Sequence, residues 1–214
     1  MIFQITVAIV LAYLIGSIPT SVWIGRIFYN VDVRTQGSGN AGATNTIRVL
    51  GWKAGLPVLI LDVFKGWLAV FIAHFFYDPL WISPDLVDLK IMLAAAAVVG
   101  HVFPVYVGFK GSKGIATLLG VGLALFPTAS LIAIIVFVMV LLVSGYVSLG
   151  SIIAAVTFPL SELVILGHTE YISLTILSIS VAVFVPLTHR KNIQRLLKGE
   201  ETKFTLKKKK QTST

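Results

Sequence analysis

The sequence predicts an all-α integral membrane protein with seven transmembrane helices, the fourth of them short, with the N-terminus outside and the C-terminus inside. Three observations predict this fold: an apolar composition, apolar runs near bilayer length, and a one-sided distribution of Lys and Arg. The chain has 214 residues, of which 57% are hydrophobic and 12% charged. A soluble domain carries roughly 25% charged residues. A water-soluble fold of this size has no means of covering so much apolar surface, so lipid must solvate most of it.

The apolar runs lie at 3–24, 54–76, 89–107, 115–126, 128–143, 149–166 and 171–187. A bilayer span takes about 20 predominantly apolar residues. The fourth run is too short for that, and two readings stay open: a half-span, or a piece fused to the fifth run across Pro127. No cation precedes the first run and no small-residue cleavage site follows it, so it reads as a retained span and not as a signal peptide.

Charge sets the parity, because cytoplasmic loops are enriched in Lys and Arg. With seven spans, the loops after the first, third and fifth runs share a face with the tail. That face holds all but Lys65 and Lys90 of the 17 Lys and Arg residues. The opposite face holds Lys90 with Asp78, Asp85, Asp88 and Glu170. Six spans would part the basic tail from the other basic loops. The expected organisation is one transmembrane catalytic domain, residues 1–190, and a basic cytoplasmic tail, residues 191–214. There is no cysteine, which removes disulfides and thiol-based metal or redox sites.

Four stretches on the basic face carry the chemistry. The first is Gly37-Ser38-Gly39-Asn40-Ala41-Gly42-Ala43-Thr44-Asn45, followed by Arg48. Glycines let the backbone approach a ligand closely, and successive N–H groups in such turns make anion-binding concavities. The second is Gly100-His101-Val102-Phe103-Pro104 with Phe109-Lys110-Gly111-Ser112-Lys113-Gly114-Ile115-Ala116-Thr117. A Gly-Ser-Lys-Gly turn opening a helix puts a cation and the helix N-terminus at one point, which favours an anion. Positive-inside anchoring accounts for Lys110, and less well for Lys113 between glycines. His101 has two readings, a satisfied structural histidine or a proton or phosphate contact.

The third stretch, Ser144-Gly145-Tyr146-Val147-Ser148-Leu149-Gly150-Ser151, joins the fifth and sixth runs. Bonding back to a helix or gluing helices together suits Ser144 and Ser148 better than Ser151. The fourth, His189-Arg190-Lys191-Asn192-Ile193-Gln194-Arg195-Leu196-Leu197, leaves the last span as a basic amphipathic segment. His189 and Asn192 are three apart and share a helix face. Asp62 and Lys65, also three apart, read first as an ion pair bracing the bundle and second as a proton path. Glu162 is expected to reach the outer interface, and His74 and His168 lie toward that side, away from the motifs.

Together these stretches describe a site for more than one phosphate, beside a lipid-side groove suited to a hydrocarbon chain. An enzyme acting on a phosphate-bearing amphiphile fits, and so does a carrier for one. An inverted repeat would favour a carrier, and none is found.

The runs at 37–45, 100–104 with 109–117, and 148–151, together with His189-Arg190-x-Asn192-Ile193, strongly resemble the bacterial acyl-phosphate:glycerol-3-phosphate acyltransferase family (PlsY). The resemblance covers essentially the whole chain. It departs at Ser112, where the family usually has a second glycine; a small side chain still permits the turn. The resemblance implies transfer of an acyl group from acyl-phosphate to the 1-hydroxyl of sn-glycerol 3-phosphate, the first step of phospholipid synthesis, with acyl-CoA and acyl carrier protein not the direct donors. It implies Lys113, Ser38, His101 and Ser151 as catalytic residues. Gly39, Asn40, Gly42, Thr44, Asn45, Arg48, Gly111, Ser112, Gly114, Thr117, His189 and Asn192 would bind substrate. Ser38, Lys113, Ser151 and loop amides would hold the donor phosphate, and Arg48, His189 and Asn192 the glycerol phosphate. No cofactor, metal or nucleic acid is implied. The expected partners are the two substrates and the bilayer of a bacterial inner membrane, with the chain a monomer and its site at the cytoplasmic face.

Overall fold

The computed structural model describes residues 1–80, 84–165 and 171–204, and all regular elements among them are helical. His168, Glu170 and Lys207–Lys210 lie outside the described residues.

The first apolar run becomes two helices, α1 (Ile2–Ser17) and α2 (Thr20–Tyr29), bent by 43°. Pro19 causes the break, because a proline lacks an N–H and pushes the residue before it out of the helical region. Ile18 accordingly sits at φ −55°, ψ 110°. The glycine-rich stretch runs into a short helix, α3 (Ala43–Leu50), where the sequence pattern suggests only a loop. The second run is α4 (Trp52–Phe71) followed by α5 (Ala73–Phe76), and the third is α6 (Leu86–Val102).

The fourth and fifth runs are separate helices. The first of them, α7 (Ile115–Leu125), stops at non-helical Phe126, and Pro127 opens α8 (Pro127–Ser144) at the position a proline tolerates. With 11 residues α7 rises about 16 Å, roughly half of a 30 Å hydrocarbon core. The sixth run is α9 (Val147–Leu160), which widens into a π-turn at Ser161–Ile165. Glu162, within that turn, is buried by the protein. The chain ends its helical part with α10 (Ile172–Thr188) and α11 (Arg190–Leu197), bent by 60° from one another.

Four of these segments are individually long and apolar enough to cross a bilayer, and the two bent pairs bring the number to six, with α7 as a shorter apolar helix. Helix pairs meet through small residues, because lipid offers no hydrophobic force between helices and packing must come from close approach. Ala8, Ala12, Ala69, Ala73 and Ala97 surround Leu89 and Leu93 where α1, α4, α5 and α6 join. On α4 and α7 the backbones touch: a Cβ on Gly66 would lie 2.1 Å from the Thr117 carbonyl oxygen, and one on Gly120 1.9 Å from that of Val63. Large apolar side chains such as Leu142 and Val143 point outward, where lipid is their solvent.

The interior also holds charge. Asp62 Oδ1 accepts from Lys65 Nζ at 2.8 Å and from Thr20 Oγ1 at 2.6 Å. Lys65 Nζ also donates to the Ile18 carbonyl at 2.8 Å. His101 Nδ1 lies 3.0 Å from Thr117 Oγ1 and 3.7 Å from Asp62 Oδ1. The ion pair read from the sequence is present, and it reaches beyond its own helix to α2, α6 and α7.

Candidate active site

A chain of hydrogen bonds joins the four motif stretches at one rim of the bundle. In the first, Asn45 is fully buried and clasps the loop. Its Nδ2 donates to the Val33 carbonyl at 2.7 Å and the Gln36 carbonyl at 3.1 Å, and its Oδ1 accepts from the Ser38 amide at 2.8 Å. Asn45 therefore shapes the loop that presents Ser38 and Gly39, both exposed. Asn40 Nδ2 donates to Ser112 Oγ at 3.1 Å, which ties the first stretch to the second. A Cβ on Gly42 would sit 2.6 Å from the same hydroxyl. Ser112, in the place of an expected glycine, thus supplies the acceptor that joins the two loops.

The second loop is pinned beneath by Gly111 N donating to the Val102 carbonyl at 3.1 Å and Ser112 N to the His101 carbonyl at 3.3 Å. Gly114 then takes φ +81° to open α7, a conformation L side chains rarely adopt. Lys113, just before it, sends Nζ to Asn192 Oδ1 on α11 at 2.5 Å. Burial pushes the Lys113 ammonium down to about 8; the Glu201 carboxylate opposes that fall and the Arg195 charge adds to it. His101 and Thr117 face each other under this loop, in the interior cluster.

Two other cations at this end of the bundle, Arg26 and Arg34, are already matched. Asp32 binds Arg34 at 2.8 Å and Arg26 at 2.9 Å, and Arg34 also donates to the Val107 carbonyl at 3.0 Å. The Arg34 hydrogen bond holds the Asp32 carboxyl well below the usual carboxylate range, despite some burial. Arg48 is exposed on α3 and Thr44 half-buried at the start of that helix. His189 is buried at the α10–α11 junction, its Nδ1 2.9 Å from the Val185 carbonyl. A neutral ring donating from Nδ1 keeps Nε2 as an acceptor.

The two serines of α9 bond differently. Ser151 Oγ donates to the Val147 carbonyl one turn back, at 2.9 Å, whereas Ser148 Oγ donates to Glu201 Oε1 at 2.8 Å. The reason is position. Ser151 has a helical carbonyl four residues before it, and Ser148, second in α9, has none. Ser144 bonds back to Val140 as expected. Glu201 lies outside all four motif stretches, whereas its partner Arg195 falls within the fourth. The available signal was an acidic pair, Glu200 and Glu201, in an otherwise basic segment.

An apolar groove opens between α7, α8, α9 and α10. Ile115, Ser151 and Val185 line it near the rim. Phe126 and Phe158, edge to face with ring centroids 5.3 Å apart, line it about 16 Å beyond Ile115 and about 10 Å beyond Ser151 respectively.

Comparison with known proteins gives a consistent answer. The family model described as glycerol-3-phosphate acyltransferase matches residues 6–199. The glycerol-3-phosphate acyltransferase of Fusobacterium nucleatum is 46% identical, over 92% of this chain and 96% of that protein. That of Chlorobaculum tepidum is 41% identical, over 94% and 97%. Among solved structures, PlsY, an integral membrane glycerol 3-phosphate acyltransferase, superposes in its glycerol 3-phosphate form with a TM-score of 0.82 at 36% identity, covering 94% of this chain and 96% of that one. Its lysophosphatidic acid form superposes with a TM-score of 0.80 over the same coverage. With a match along nearly its whole length, the chain belongs to the glycerol-3-phosphate acyltransferase family, of the integral membrane PlsY type.

Proposed function

We propose that this protein moves a fatty acyl group from acyl-phosphate to the 1-hydroxyl of sn-glycerol 3-phosphate, giving lysophosphatidic acid and inorganic phosphate, as the first step of phospholipid synthesis. One observation carries this reading: the cationic rim and the apolar groove adjoin one another. Ile115, two residues after Lys113, lines the groove; Val185, whose carbonyl takes His189 Nδ1, lines it as well. A ligand with an anionic head at Lys113 and a hydrocarbon chain between α7 and α10 follows from that continuity.

In this reading Ser38, Lys113, Ser151 and loop amides hold the donor phosphate, and Arg48, His189 and Asn192 the glycerol phosphate. Gly39, Asn40, Gly42, Thr44, Gly111, Ser112 and Gly114 shape the two loops. The hydroxyl oxygen attacks the acyl carbon, the carbon–oxygen bond to phosphate breaks, and Lys113 stabilises the charge that develops on the leaving group. Positioning does much of the rest. The hydroxyl proton goes to a substrate phosphate oxygen in preference to His101, whose ring already faces Thr117 and Asp62. Seven spans, counting α7 as a half-span, with the N-terminus outside and the C-terminus inside, put the site at the cytoplasmic face of the bacterial inner membrane, in a monomer.

The test is purified protein with acyl-phosphate and glycerol 3-phosphate and nothing else, read out as released phosphate and lysophosphatidic acid. Transfer from acyl-CoA but not from acyl-phosphate would overturn the donor assignment.

A further inference from the structure

The segment after α11 carries an acid into the site. Gly199 turns the chain at φ +69°, and the Glu200 amide donates to the Arg195 carbonyl at 2.8 Å. Farther on, the Phe204 amide donates to the Gly145 carbonyl at 2.7 Å, the Phe204 ring meets Trp52 edge to face at 5.8 Å, and Lys203 Nζ lies 5.7 Å from the Tyr146 ring centre. The segment is thus tied at both ends. Between the ties, Glu201 Oε1 accepts from Ser148 Oγ at 2.8 Å and Asn192 Nδ2 at 2.7 Å, and Oε2 accepts from Arg195 Nε at 2.7 Å. Glu201 lies past residue 199, where the family model match ends.

These bonds act on Lys113 through Asn192. An amide has a donor end and an acceptor end. With Nδ2 held by the Glu201 carboxylate, Oδ1 faces the Lys113 ammonium. Rotated by half a turn, the amide would put N–H groups against a cation. An ammonium has three donors, so one bond to Asn192 leaves two for ligand oxygens. Arg195 is fixed in the same way, by a charge-assisted bond from Nε. Lys113 is not hydrogen-bonded to Glu201; its bond goes to the amide between them.

We propose that Glu201 is a positioning residue for acyl transfer: its carboxylate orients the Asn192 amide and the Arg195 guanidinium so that Lys113 is presented as a cation to the substrate phosphate. The proposal rests on the reaction given above for this site. The charges that bear on Lys113 are those of Glu201 on the terminal segment and Arg195 on α11; His189, at the α10–α11 junction, in turn feels the Lys113 charge. Glu201 is the acid among them, and its hydrogen bonds from Asn192, Arg195 and Ser148 more than offset the effect of burial, keeping its carboxyl below the usual value.

The experiment compares full-length wild type, Glu201→Gln and Glu201→Asp in acyl-phosphate turnover across the pH range, and measures the pH midpoint for reaction of Lys113 with an amine reagent by mass spectrometry. Glu201→Gln keeps the shape and removes the charge. Its kcat/KM is expected to fall about 10- to 100-fold, and both the alkaline limb of its rate profile and the Lys113 midpoint move to lower pH. Glu201→Asp restores part of each. Unmoved pH profiles in Glu201→Gln would overturn the proposal, as would a loss of activity matched only by loss of folded protein. A rise in turnover would overturn it too, marking Glu201 as a self-ligand that competes with substrate phosphate. Absence of turnover in the wild type defeats the reaction instead, while the Lys113 midpoint still reports whether Glu201 acts on it.

Discussion

Two polar clusters lie in this bundle, and they are built on opposite terms. The interior cluster is closed: Asp62 and Lys65 cancel, and each has a further partner, Thr20 on α2 for Asp62 and the Ile18 carbonyl at the α1–α2 bend for Lys65. The rim cluster is open. Lys113 and Arg195 share a single carboxylate, Glu201, and Lys113 reaches it only through an amide. Charge that is matched within the protein holds helices together. Charge left in excess, over an apolar groove, is available to an anionic ligand. The contrast predicts that interior substitutions act on stability and rim substitutions on turnover.

The largest effect is expected inside. Asp62→Ala strands a buried Lys65 and should cost about 3–5 kcal/mol of stability, read as thermal unfolding in detergent. The double variant Asp62→Leu with Lys65→Met should recover much of that loss. A single variant as stable as wild type would erase the distinction between the clusters. At the rim, Lys113→Ala should lower turnover about 10²- to 10³-fold with unfolding unchanged. For wild type, turnover that depends on the Lys113 cation falls as pH rises through about 8. A flat profile to pH 10, a value well above that midpoint, would remove Lys113 charge from the mechanism. Phe158→Ala lengthens the groove and should shift preference toward longer acyl chains, by about 0.8 kcal/mol for each methylene newly buried. Competition between acyl-phosphates of different length measures it. The smallest effect is deletion of residues 205–214, which should leave turnover unchanged; a severe loss would bring that segment into the reaction.

Much of the contrast was legible in the sequence because spacing and charge carry it. Asp62 and Lys65 three apart on one helix had to meet. Lys113 between glycines, and Asn192 just past the last apolar run, had to emerge on the same face once parity was set. What stayed hidden depended on three-dimensional proximity. Glu201 has no motif around it and enters the rim only because the chain turns at Gly199 and runs back to Gly145. Ser148 and Ser151 are three residues apart, and where α9 starts decides which one finds a helical carbonyl. The helix α3 was masked by the glycines and small polar residues before it, whose composition suggests a loop.

The break at Pro19 has an effect beyond shape. It leaves the Ile18 carbonyl without the usual helical donor, and the Thr20 amide and the ammonium of Lys65 share that oxygen. An interior lysine, which needs acceptors, and a broken helix, which has one to spare, settle each other's deficits. The joint between α1 and α2 is therefore a locked elbow and not a loose one. Because α2 leads through the turn at Val33–Thr35 into the glycine-rich loop, the aim of that loop is tied to a charge held in the interior of the bundle.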